Sequence, residues 1–272
     1  MEIIQEDSGF IDLTTQGLEI GHLNAHISFS PKHRVVLSGV EMVAKMCREM
    51  NLFTTVHHQE GDVLEAGELI LEATGSAKEV HMAWKACQNV LEYACGVATK
   101  TEAMLTSARA INPNIQLLTT RKIIPLTKEL AIKAVHAGGG AHHRLGLYDS
   151  ILIFKQHRVF FDNDAAFEAQ FEKMKRRYLE KKIIVEVETL EEARYFASLG
   201  ADILQCEKLS PEALAELIAV LRVSYPSVLF SATGGVNEHN IAEYTKCGID
   251  FVVSSSPYHA EPADIRVTIG KC

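Results

Sequence analysis

Several short segments of this sequence concentrate residues able to hold an anion. Thr119-Thr120-Arg121-Lys122 closes one apolar run, and GGGAHHRLGLYDSILIF, residues 138–154, carries His143 and Arg144 just after three glycines. A guanidinium grips carboxylate or phosphate at two points while lysine supplies a compact charge, so Arg121, Lys122, His143 and Arg144 together suit a ligand bearing both groups. The plain alternative is that each forms a structural salt bridge. Glu186 and Glu207 end two successive apolar runs, where neighbouring carboxylates would coordinate Mg²⁺ or stabilise developing positive charge. Thr233-Gly234-Gly235 and Ser254-Ser255-Ser256 end two more. Glycines there let backbone N–H groups approach a phosphate, and a helix starting near Glu238 would add positive charge. His142 has no zinc-ligand spacing around it and is expected to be structural, and Glu188 falls off the inward alternation and is expected to be a loop acid.

The elements that must position these residues are legible as patterns. Residues 22–74 alternate short apolar runs with glycines, which predicts strands and tight turns around one helix, VEMVAKMCREM at 40–50. Ser76 caps a long helix in which Val80, Trp84, Cys87, Val90, Leu91 and Ala94 form one apolar stripe. From about residue 115 strand and helix patterns alternate through six apolar runs, IQLLTT, ILIF, KKIIVEVE, DILQCEK, SVLFSATGG and DFVVSSS. Parallel strands need crossover connections, so this region is a parallel sheet, either an α/β barrel or an open doubly wound sheet. In both, chemistry sits beyond the C-terminal strand ends, where all of these polar residues fall.

Composition narrows the class. With 272 residues, 47% of them hydrophobic and 23% charged, the chain can bury a sizeable core and is expected to form two unequal domains. A net charge of −8, with KMKRR at 173–177 as the one short basic run, argues against a nucleic-acid surface. Six cysteines without Cys-x-x-Cys spacing and a polar N-terminus predict reduced thiols in a cytoplasmic protein, with no membrane span.

Seven segments in order, EDSGFIDLTT, CGVATKT, TTRK, the GGG-to-DSILI run, VEVETLEEA, GADILQCEKLSPE and ATGGVNEHNI, resemble the quinolinate phosphoribosyltransferase family, the carboxylating nicotinate-nucleotide pyrophosphorylases. HRLGLYDSILIF, AWKACQNVLEYACGVATKT and SSSPYHAEPADI are similar to its ModD-like subgroup of pyrophosphorylases associated with molybdenum transport. The resemblance implies an N-terminal open α/β sandwich over residues 1–106, completed by 260–272, and an incomplete α/β barrel of six or seven strands over 107–259. It also implies a phosphoribosyltransferase that joins phosphoribosyl pyrophosphate to an acidic, heteroaromatic acceptor, releases pyrophosphate, and works as a homodimer with a shared site. On that pattern Arg121, Lys122, His143 and Arg144 hold the acid, and Lys85, where the family carries arginine, reaches the site of the other subunit. Glu186 and Glu207 bind Mg²⁺ and ribose, and with Lys122 flank the reacting centre. Thr233, Gly234, Gly235, Ser254 and Ser255 take phosphate.

The departures from the family pattern bear on the acceptor. Phe154 stands where the family has an active-site lysine, Ser231 replaces a glutamate, and Lys155 and Lys208 are new cations on the same rim. The acceptor therefore need not be quinolinate; the alternative is quinolinate phosphoribosyltransferase activity in NAD biosynthesis, with Lys155 substituting for the missing lysine. A non-catalytic protein binding a phosphorylated ligand or oxyanion in molybdenum metabolism is the reading from another class.

Overall fold

The computed structural model describes residues 2–9 and 11–272, in two compact units. The first comprises Met1–Glu102, Ile124–Gly139 and Pro257–Cys272; the second comprises Ala103–Ile123 and Gly140–Ser256.

The first unit is built on a four-stranded antiparallel sheet. Its strands are β1 (Asn24–Pro31), β3 (Phe53–Val56), β5 (Leu71–Ser76) and β13 (Ile265–Lys271), in the order β13-β1-β5-β3; β2 (Val35–Val36) and β4 (Val63–Leu64) pair separately. Strict alternation along β1 buries Ala25, Ile27 and Phe29, which pack with helix α3 (Val40–Glu49) and the start of α4 (Ala77–Arg109) in one core. Two short helices, α1 (Glu2–Ser8) and α2 (Leu13–Gly17), precede the sheet. Helix α4 starts where the sequence says it should. Ser76 Oγ accepts from the Glu79 backbone N–H, and the Glu79 carboxylate accepts from the Ser76 backbone N–H at 3.1 Å, a reciprocal cap. The last strand of the chain completes the sheet by pairing with β1 from Ala25↔Lys271 to Pro31↔Ile265.

The second unit holds seven parallel strands: β6 (Gln116–Thr119), β7 (Ala141–His142), β8 (Ile151–Ile153), β9 (Ile183–Val187), β10 (Ile203–Glu207), β11 (Leu229–Thr233) and β12 (Phe251–Ser254). Their order, β7-β6-β12-β11-β10-β9-β8, distinguishes between the two architectures left open by the sequence. A doubly wound sheet reverses its strand order at a switch point, whereas here β8 to β12 run consecutively and β12 then pairs with β6, at Phe251↔Gln116 to Ser254↔Thr119. That pairing gives the order of an incomplete α/β barrel, with β7 and β8 left as its two unpaired edges. Seven strands replace the six apolar runs because Ala141 and His142, just past the glycines, pair with Leu118 and Thr119.

Helices α7 (Asp164–Arg177), α8 (Leu190–Ser198), α9 (Pro211–Ser224) and α10 (Ile241–Lys246) bury Phe167, Phe171, Phe196, Leu214, Leu217 and Ile241 against outward strand residues such as Val185, Leu204, Phe230 and Val252. Asn163, Thr189 and Ser210 cap three of them, each accepting a backbone N–H, with Pro211 at the first position of α9. Inward residues of the strands form a separate apolar cluster of Leu152, Ile184, Ile203, Phe251 and Val253, so the barrel is plugged and its polar residues collect at the C-terminal mouth.

The triple glycine does two jobs. Gly139 has φ +81, which other residues resist, but Gly138, at the C-terminus of α5 (Lys128–Ala137), is needed for space. A Cβ there would lie 2.3 Å from the Ala98 carbonyl oxygen and 2.7 Å from Thr101 Cβ, both on α4. Gly138→Ala is therefore expected to destabilise by about 1–3 kcal/mol through overpacking. Equilibrium urea unfolding checks this, and a wild-type midpoint would refute the close-packing role.

Candidate functional site

A cavity of about 660 Å³ occupies the mouth of the barrel. Arg121 and Lys122, just past β6, and Arg144, from the β7–β8 connection, line it together. None of the three is ion-paired among the described residues, so the salt-bridge alternative does not hold for them. Arg144 is buried, and burial together with repulsion from Arg121 depresses its pKa. Its guanidinium lies 5.5 Å from the centre of the Phe154 ring, a cation–π contact that replaces part of the lost hydration. The cluster is short of negative charge, which is the electrostatic condition for binding an anion.

His143 behaves differently. Its backbone N–H donates to Thr119 at 2.9 Å, its ring stacks on Phe251 with centroids 6.4 Å apart, and it is not among the residues lining the cavity. Burial first, then the Arg144 charge, pushes its pKa down to about 4, so near neutral pH it is an uncharged imidazole rather than a cation. Its Nε2 is buried without a hydrogen-bond partner. His142 is a strand residue of β7, paired with Thr119.

The acidic residues line the opposite wall. Glu186, at the fourth position of β9, and Glu207, the last residue of β10, both border the cavity. Burial, then the neighbouring Glu207 charge, raises the pKa of Glu186, while Lys122 offsets part of the rise. Gln205, buried beside Glu186, donates its amide N–H to a Glu186 oxygen at 3.2 Å. Glu188 is exposed, donates its backbone N–H to Glu192 at 2.9 Å and is not among the residues lining the cavity.

Glu207 is wedged from behind. Gly234 has φ +83, and a Cβ at that position would lie 2.8 Å from the Glu207 carboxylate and 2.6 Å from Lys208 Cγ. Lys208 itself has φ +55, is exposed, and places its ammonium 3.5 Å from Glu207.

A smaller cavity of about 180 Å³ adjoins this wall, lined by Thr233, Gly234, Gly235, Asn237, Ser254 and Ser255 among others, and it shares Thr120, Lys122 and Thr233 with the larger one. Gly235, at φ +94, has open space where a side chain would be. Ser254 is committed to the loop: its hydroxyl donates to Val236 at 2.5 Å and accepts from the Ser256 backbone at 3.0 Å. Helix α10 starts only at Ile241, after a turn at 237–240. The helix expected near Glu238 thus begins three residues later, and the residues of this segment that line the cavity belong to the loop before it.

The remaining rim residues are placed as follows. Strand β8 stops at Ile153, and the residues expected as its end open helix α6 (Lys155–Arg158) instead. Phe154 lines the cavity, its backbone N–H donates to His157 Nδ1 at 2.9 Å, and its ring stacks on the His157 ring. Lys155 is exposed on α6 and does not line the cavity, whereas Gln156 and His157 do. Lys85 lies on the exposed face of α4, donates to Gln88 at 3.0 Å and sits 5.0 Å over the Trp84 ring. Sequence reasoning gave no role to Gln205, Gln156 or His157, although Gln156 and His157 follow directly on an apolar run and Gln205 shares the inward face of β10 with Glu207.

Residues 12–95 match the family model for the quinolinate phosphoribosyl transferase N-terminal domain, and residues 97–268 match that for the C-terminal domain. The chain is similar to a ModD protein, named as a pyrophosphorylase, of Pasteurella multocida, at 37% identity over 270 residues, 99% of this chain and 96% of the relative. It is similar at 31% identity to a protein of Methanothermobacter thermautotrophicus named as a carboxylating nicotinate-nucleotide pyrophosphorylase, covering 98% of this chain and 96% of that one. The solved structure of a nicotinate-nucleotide pyrophosphorylase from Francisella tularensis shares the fold, with a TM-score of 0.88 at 23% identity over 99% of this chain and 94% of that one.

Glu186 generates a pH-dependent stability. Because its folded pKa is raised, the cost of keeping it ionised is absent in acid and is imposed as pH rises through that pKa. Glu186→Gln is expected to raise the urea midpoint at pH 7, with the gain over wild type shrinking as pH falls towards the ordinary carboxylate range, about 4. A variant less stable than wild type at pH 7, with no pH trend in the difference, would contradict this.

Proposed function

The chain belongs to the quinolinate phosphoribosyl transferase family, and from that premise we propose that it transfers a phosphoribosyl group to a heteroaromatic acid other than quinolinate. The observation that carries the proposal is the position of Lys122. It borders both cavities, with Arg121 and Arg144 sharing the larger and the Gly234-Gly235 loop the smaller.

On this reading the phosphates of phosphoribosyl pyrophosphate lie against Thr233, Gly234, Gly235 and Ser255, with Ser254 shaping the loop that holds them. The acceptor carboxylate lies on Arg121 and Arg144. The acceptor ring nitrogen forms a bond to C1 of the ribose as the C1–oxygen bond breaks, and pyrophosphate leaves with the electron pair. Glu186 and Glu207 face the sugar and stabilise the positive charge that builds on it, and Lys122 stabilises the negative charge of the leaving group. No side chain forms a covalent intermediate.

Magnesium fits these residues. No cluster of three or more ligating side chains occurs among the described residues, but two carboxylates on one wall, one with its pKa raised by burial and then by its neighbour's charge, suit an ion completed by substrate phosphates. Glu186 and Glu207 would hold it, and when bound it would neutralise charge on the diphosphate.

The acceptor reading rests on Phe154. Replacing a cation beside a bound dianion by a phenyl ring removes an interaction of about 3 kcal/mol or more, roughly a hundredfold in recognition. The ring offers a flat surface for an aromatic acid instead. Lys155, outside the cavity lining, is not positioned to restore the charge. A link to molybdenum metabolism belongs to the same proposal and rests on likeness to ModD proteins.

We further infer a homodimer in which Lys85 and Asn89, exposed one turn apart on α4, serve the site of the partner. Lys85→Ala is expected to weaken acceptor affinity, and a mixed dimer of Lys85→Ala with Glu207→Gln to recover part of the activity; no recovery argues against a shared site. For substrate choice, steady-state kinetics with quinolinate should show Phe154→Lys exceeding wild type by about a hundredfold, with Lys155→Ala changing little. Wild-type efficiency near about 10⁴ M⁻¹s⁻¹, abolished by Lys155→Ala, would instead establish quinolinate as the substrate. Pyrophosphate release with any acceptor excludes a purely binding role.

A further inference from the structure

The inward layers of the barrel define a floor beneath the larger cavity. Leu152, Ile184, Ile203 and Leu229 stand in register as an apolar layer. Two residues further along the strands the pairing brings Glu186, Gln205, Ser231 and Phe251 side by side, with Phe154 one residue beyond the Ile153↔Val185 pair and therefore next to Glu186. This layer is the first above the plug that carries polar side chains, and Phe154, Glu186 and Gln205 border the cavity directly.

Its hydrogen bonding is incomplete. The Gln205 amide nitrogen is taken up by Glu186, and the amide oxygen is left over. That oxygen is buried without a partner, in a side chain only 4% exposed. The adjacent Ser231 hydroxyl is also buried without a partner, in a residue that is 0% exposed, and the unpartnered Nε2 of His143 belongs to the ring stacked on Phe251. Buried polar groups without partners are expensive and rare, so several around one layer mark a place where something else completes the bonding.

The chemistry of the missing group follows from the atoms that face it. The Gln205 oxygen is an acceptor and the Glu186 carboxyl lies beside it, so a second carboxylate lowered onto this floor would meet repulsion, whereas an N–H would be met by the Gln205 amide, with the Ser231 hydroxyl behind it and outside the cavity lining. Phe154, the aromatic member of the layer that borders the cavity, suits a flat ring. We propose that this floor is a specificity subsite of the acceptor pocket which reads an uncharged N–H-bearing substituent, an amide, lactam or amino group, on a ring whose single carboxylate is held by Arg121 and Arg144. The assignment rests on the phosphoribosyltransferase reading above and names the class of acceptor within it.

The test uses shape-matched probes: quinolinate and its two monoamides, in which one carboxylate becomes a carboxamide of the same size. Each is titrated calorimetrically into the full-length wild type, Gln205→Leu and Ser231→Ala, and phosphoribosyl pyrophosphate is titrated separately. One monoamide is expected to bind wild type at least about tenfold more tightly than quinolinate, because a site built around a donor rejects the analogue that lacks it. The ratio should fall to within about twofold in Gln205→Leu and shrink in Ser231→Ala. Ser231→Ala leaves the Gln205–Glu186 bond in place, so it also separates the floor from any disturbance of Glu186. Quinolinate binding as well as either monoamide, a ratio that survives both substitutions, or no binding by any of the three while phosphoribosyl pyrophosphate binds would overturn the subsite. Failure of phosphoribosyl pyrophosphate itself to bind would strike at the phosphoribosyltransferase reading instead.

Discussion

The parallel register of β9 through β12 is the constraint on which the rest of the second unit depends. Because side chains alternate faces along each strand, one register decides at once which residues pack outward on helices and which layers stack inside. Outward go Val185, Leu204, Phe230 and Val252 into the main core; inward go an apolar plug, then the Glu186–Gln205–Ser231 layer, then Glu207 and Thr233 near the rim. A slip of one residue would exchange these sets, placing carboxylates among the helices. The chemistry at the mouth is therefore protected by the same burial that stabilises the unit, since hydrophobic packing outside the strands fixes polar geometry inside them.

Charge is distributed against the average of the molecule. A chain of net charge −8 gathers Arg121, Lys122 and Arg144 in one cavity without ion-paired partners, and sets Glu186 and Glu207 close enough to raise one carboxylate pKa. Both arrangements cost folding free energy, because the buried Arg144 and the half-buried Glu186 lose hydration and like charges repel. Stability is commonly traded for activity in this way, and a substrate carrying phosphates and a carboxylate would relieve the strain on the cations. Phe154 fits the same picture, since the cation–π contact shelters the buried Arg144 guanidinium with a ring that adds no charge.

The opening between β7 and β8 has its own logic. Strands β7 and β8, of two and three residues, do not pair with each other, and the connection from His143 to Ser150 that joins them carries Arg144 into the cavity. The geometry that leaves the sheet incomplete is thus the geometry that delivers the buried guanidinium. The glycine-rich approach serves it from behind: Gly139 supplies the left-handed turn and Gly138 the close passage over α4.

Much of this was legible in the residues themselves. Periodicity located most of the strands, Ser76 with Glu79 and Ser210 with Pro211 announced helix starts, and the strand-end positions of Arg121, Lys122, Glu186, Glu207 and Gly234 placed them at one mouth, because these signals depend on neighbours only a few residues away. Tertiary structure decided what depends on distant partners. The β6–β12 pairing, between residues more than a hundred apart in sequence, made an incomplete barrel rather than a doubly wound sheet. Desolvation against Phe251 turned His143 from a supposed cation into a neutral ring, and the turn into α6 left Lys155 off the cavity lining while Phe154 stayed on it. The unpartnered oxygens of Gln205 and Ser231 exist only because two strands bring them together and bury them, and burial is a property of the folded surroundings that no local pattern encodes.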